Sequence, residues 1–84
     1  MTSANPLAIA ELTTAQAHSI MCDAARKHDC AVRDVTAEAD CDSENGWIVI
    51  WSADVFDPEL PAGADLLGTI CFLEHYAEPV IHWH

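Results

Sequence analysis

Apolar and polar positions change their period along the chain, and each change marks an element. Between Thr14 and Asp29 the apolar positions recur at helical spacing. Ala17, Ile20, Met21, Ala24 and His28 share about 100° of arc, while Ser19, Asp23, Arg26 and Lys27 face outward. Thr13 followed by Gln16 forms a capping box, in which each side chain satisfies an orphan backbone N–H. Arg26, Lys27 and His28 suit the negative end of the helix dipole. From Cys30 the helical period is lost. The run Ala31 to Glu38 mixes β-branched and charged residues, which suits a half-exposed strand. Asn45-Gly46 closes the turn over Asp42 to Gly46, because both residues tolerate positive φ.

The strongest alternation follows that turn. Trp47, Val49, Trp51, Ala53 and Val55 are apolar at every odd position, and Ser52 and Asp54 face the other way. The odd face is expected to meet the helix, with Trp47, Val49 and Trp51 packed on Ile20, Met21 and Ala24. Asp57 to Asp65 holds two prolines and a glycine and reads as a loop. Leu66 to Tyr76 is β-branched and aromatic at its middle, which predicts a strand, with helix as the rival reading. Glu78-Pro79 turns the chain into a short last strand over Val80 to His84. The expected fold is α+β: one N-terminal helix on a three- or four-stranded antiparallel sheet, in the order αβββ. The 84 residues make one domain, with residues 1–12 as a loosely docked arm because Pro6 opposes an early helix.

Charge narrows the function. Fourteen Asp and Glu stand against three Lys and Arg, for a formal net charge of −11. That balance excludes direct nucleic-acid binding through basic residues and attachment to an anionic membrane surface. No apolar run approaches the ~20 residues that cross a bilayer, and the first eleven residues lack the pattern of an export signal. The expected compartment is therefore the cytoplasm. The cations all lie between Arg26 and Arg33, and the 51 residues from Asp34 onward contain eleven carboxylates and neither Lys nor Arg. Asp34, Glu38, Asp40, Asp42 and Glu44 cluster around the expected hairpin, and Asp54, Asp57 and Glu59, with Asp65, bracket the Pro-rich loop that follows. All of these but Asp65 are the candidate partner-binding residues. Such asymmetry costs stability through self-repulsion, so it points to a basic partner. A solvated acidic face, or adaptation to a salty cytoplasm, accounts for the same composition.

Candidate chemistry is sparse. Cys22, Cys30, Cys41 and Cys71 form no Cys-x-x-Cys pair and suit neither zinc modules nor a secreted disulfide scaffold, so four reduced thiols are expected. His82 and His84 share a strand face, and a tight turn before them would add His75 and Cys71 to a possible tetrahedral metal set. His18 and Cys22, four apart on the helix, supply half of another. No nucleophile with an orienting base and an oxyanion element is visible, so no enzyme activity and no cofactor are expected. Trp83, between two histidines, is a candidate interface anchor.

In size, acidity and the absence of a catalytic signature, the chain resembles small phage-encoded inhibitors of the anti-CRISPR type. Many of those present carboxylates to a basic nucleic-acid-binding surface. The resemblance covers no aligned segment and transfers no residue. It implies an inhibitory protein–protein interaction in which the partner is a basic nucleic-acid-binding protein, a CRISPR interference complex being one example. A small metal-binding or metal-sensing domain, and a non-inhibitory subunit of a larger assembly, are the alternative readings.

Overall fold

A computed structural model describes residues 10–42, 46–74 and 78–84, with the backbone alone at 41 and 42. One helix, α1 (Thr14–Arg26), precedes four strands, β1 (Ala31–Asp42), β2 (Gly46–Phe56), β3 (Leu66–Leu73) and β4 (Val80–Trp83). The strands form one antiparallel meander in the order β1-β2-β3-β4, with α1 packed over β1 and β2. The α+β class and the element order are those the sequence implies.

The capping box forms as its residues require. Thr13 Oγ1 accepts from the Gln16 N–H at 3.1 Å, and Gln16 Oε1 accepts from the Thr13 N–H at 2.9 Å. The helix stops at Arg26, short of the expected Asp29. There Asp29 adopts a left-handed φ of 59°, the Cys30 N–H donates to Ala25 O, and the Asp29 N–H donates to Arg26 O. Those two bonds make a Schellman ending, with aspartate at the position glycine usually takes.

Alternation on β2 follows the expected phase. Val49, Trp51, Ala53 and Val55 are buried, together with Ala17, Met21, Ala25, Val32, Ile70 and Phe72. The buried helix stripe is thus Ala17, Met21 and Ala25, one residue every turn, and it differs from the stripe expected. Ile20 is 37% exposed and His28 lies beyond the helix, whereas Ala24 is partly buried against the core. Trp47 departs furthest, at 57% exposed. The reason is length. Thirteen helical residues span about 20 Å, whereas the eleven of β2 span about 36 Å. The β1–β2 hairpin therefore overhangs the helix, and the molecule measures 44 × 23 × 22 Å.

The register shifts once in each of two strand pairs, between Arg33 and Thr36 of β1 and between Val55 and Phe56 of β2. Between Arg33 and Thr36 the register with β2 slips by one residue, and Asp34 there takes a φ of 57°, the mark of a β-bulge. On β3, a Cβ at Gly68 would collide with the backbone carbonyl oxygen of His82, so only glycine lets β4 approach.

Candidate interaction surface

Among the described residues, α1 covers one face of the sheet and no element covers the other, and register assigns each side chain to its face. Opposite the helix, β1 contributes Arg33, Thr36, Glu38 and Asp40, β2 contributes Ile48, Ile50, Ser52 and Asp54, and β3 contributes Thr69, Cys71 and Leu73. Val80 and His82 continue that face on β4, since they pair with Cys71 and Thr69. None of the apolar residues in this set belongs to the core or packs against it.

The eight acids singled out from the sequence divide between two ends of β2. Glu38 and Asp40 are exposed on β1, opposite Ile50 and Ile48, and two residues of strand set their backbone positions about 6.6 Å apart. Asp42 continues the same strand opposite Gly46, and its side chain, like all of Glu44, lies outside the described residues. Asp34 is exposed at the bulge, with its carboxylate 3.9 Å from Arg33 Nε. Asp54 lies partly exposed opposite Arg33. At the far end, Asp57 Oδ1 accepts from the Glu59 N–H at 2.9 Å, which makes the pair a turn brace as well as a charge.

Arg33 is engaged at the base of the sheet. Its guanidinium donates to Asp65 at 2.8 Å and lies 4.6 Å above the Phe56 ring. The hydrogen bond from Arg33 holds the Asp65 carboxyl below its ordinary value, and the same bond raises Arg33. Arg26 pairs with Asp23 at 3.2 Å on the exposed side of the helix. Two of the three cations are therefore engaged at the base of the sheet and on α1, away from Glu38 and Asp40.

The metal set expected from the C-terminus is only partly assembled. Cys71 and His82 share the open face on neighbouring strands, His75 lies outside the described residues, and the His84 N–H donates to Leu67 O at 2.9 Å. On the helix, Cys22 Sγ sits 3.5 Å from His18 Nε2, which also lies 3.4 Å from Val32 O. Among the described residues, no three His, Cys, Asp or Glu side chains converge on a possible ion. Cys22, Cys30 and Cys71 are free thiols, and burial, then Asp57 and Asp29, push the Cys30 thiol up.

Sequence reasoning missed Glu74, a buried carboxylate that accepts three hydrogen bonds. It is buried at the end of β3, where Oε1 accepts from the Glu11 and Leu12 N–H groups at 2.6 and 3.0 Å. Its Oε2 accepts from Trp51 Nε1 at 2.9 Å. Residues 10–12 are thereby tied to the sheet, with Ala10 and Leu12 packed on the core. Trp83 is 49% exposed, and its ring meets His28 edge-on at 5.3 Å. Of the exposed tryptophans, Trp47 is the one carried on the acidic hairpin.

The fold and surface thus define a two-layer α+β domain with an acidic, overhanging hairpin. No protein-family model, curated protein or solved structure matches this chain. Among the described residues, no helix is long and apolar enough to cross a membrane.

Proposed function

We propose that this chain is a small acidic interaction protein that occupies a basic, nucleic-acid-binding surface of its target and so keeps nucleic acid from it. One observation carries the reading. The hairpin overhanging the helix bears Glu38 and Asp40 on one face, and the sequence beyond Arg33 contains neither Lys nor Arg. Carboxylates repeated along an extended strand offer a basic groove what a phosphate backbone offers it, and several short-range pairs form at once. Trp47, exposed on the opposite face of the same hairpin, offers an apolar contact to a partner that encloses the hairpin. The role requires no catalytic group, and its setting is the cytoplasm. It is the role implied by the resemblance to anti-CRISPR-type inhibitors.

The test is competitive capture. Immobilised protein, incubated with nuclease-treated lysate, should retain a nucleic-acid-binding protein that an added oligonucleotide displaces. A variant carrying Asp34→Asn, Glu38→Lys and Asp40→Lys should lose that capture at about 0.15 M salt while keeping its thermal melt, because these side chains are exposed. Asparagine is used at 34 because it tolerates the left-handed backbone there. Capture that persists in the variant, or that oligonucleotide does not displace, would refute the reading.

A further inference from the structure

The open face of the sheet is more apolar than the charge of the chain suggests. Ile48 and Ile50 on β2, Cys71 and Leu73 on β3 and Val80 on β4 form a continuous band, in which Ile50 pairs with Leu73 and Cys71 with Val80. Three strands at 4.7–4.9 Å spacing make the band roughly 10 Å wide, and from Ile48 to the level of Cys71 and Val80, opposite Ser52, it runs about 13 Å. That footprint is the width of one α-helix and the length of about nine helical residues. The charges bordering it are lopsided. Glu38 and Asp40 run along the β1 side beside Ile50 and Ile48, whereas Thr69 and His82 stand between β3 and β4.

We infer that this face docks an amphipathic helix of the partner, one with Lys or Arg along a single flank of its apolar stripe. The inference rests on the proposed basic partner and names the element by which it binds. The apolar stripe covers Ile48, Ile50, Cys71, Leu73 and Val80, and the basic flank lies over Glu38 and Asp40. A second copy of this chain is the poorer occupant, because it would press two chains of net charge −11 together. The band also matches one helix in width, whereas a second sheet would need apolar partners where Glu38, Asp40 and Asp54 stand.

The probe is a synthetic helical peptide of about fifteen residues, with leucines at i, i+3, i+4 and i+7 and lysines on one flank. Titrated into isotope-labelled protein, it should shift the amides of residues 48–52 and 69–73 and leave those of α1 unmoved. The variant Ile48→Thr/Ile50→Thr, whose side chains lie outside the core, should bind at least tenfold more weakly, and a glutamate-flanked peptide should not bind. No binding of the lysine peptide, shifts centred on α1, or unchanged affinity in the threonine variant would each overturn the inference. So would a dimer of the free protein that the threonine variant dissolves, since the face then belongs to a second copy. If the lysine peptide fails while the acid-reversal variant still loses its partner, the basic partner stands and the docked helix falls. Failure of the parent protein to show oligonucleotide-sensitive capture removes both.

Discussion

Glu74 and Trp51 offer the sharpest test of how this domain is held together. The Glu74 carboxylate meets backbone N–H groups of Glu11 and Leu12 with one oxygen and the buried Trp51 indole N–H with the other. Glutamine has nearly the same shape but only one accepting oxygen. If that oxygen keeps the two backbone donors, the amide NH₂ faces the indole N–H, and a fully buried donor loses its acceptor. A lost charge-assisted bond costs about 1.5–3 kcal/mol, and an unsatisfied buried donor about 1–3 kcal/mol, with the two overlapping. Glu74→Gln should therefore destabilise by about 2–4 kcal/mol. The whole stability of a domain this size is about 4–13 kcal/mol, so the melting temperature should fall by at least about 8 °C. Trp51→Phe in the parent removes the donor and some packing. In the Glu74→Gln background it also removes the donor–donor confrontation. The double variant should thus be more stable than the sum of the single losses, by about 1 kcal/mol or more. Urea unfolding followed by circular dichroism measures all four corners of the cycle without relying on tryptophan fluorescence. Losses that add within about 0.5 kcal/mol would show that Glu74 does not act through the indole.

Two further outcomes follow from the sheet. Because Arg33 holds Asp65 below its ordinary value of 3.8, the pair stabilises the fold in full above about pH 4, and that stabilisation is lost as pH falls through the lower, folded value. Urea midpoints between about pH 2 and 6 should accordingly drop more steeply on the acid side for the parent than for Asp65→Asn, and equal slopes would remove Asp65 from acid unfolding. Gly68→Ala should displace β4, because its Cβ would strike backbone atoms of His82 and Trp83 that cannot rotate away. A loss of about 1–3 kcal/mol and faster amide exchange at residues 80–83 are expected, and a melt within about 2 °C of the parent would contradict the close approach.

What the sequence by itself determined is whatever depends on neighbours in the chain. The capping box at Thr13 and Gln16 needs residues three apart, and the face of β2 follows from strict alternation between Trp47 and Val55. The acidic character of the hairpin is likewise written in composition, because β1 had to carry Glu38 and Asp40 on one face once it was extended. Tertiary structure decided what depends on relative lengths and on distant partners. Trp47 has the same phase as Trp51, yet it is exposed because the helix ends before the hairpin does. The helix stripe kept Ala17 and Met21 of the expected set but took Ala25 in place of Ile20 and His28, because the side of α1 that meets β1 and β2 is fixed by the sheet it packs on. Glu74 looked like one more acid in an acidic chain. Its partners lie 23 and 63 residues away in sequence, and only the folded sheet brings Trp51 Nε1 and the Glu11 N–H to one carboxylate, where desolvation makes each bond count.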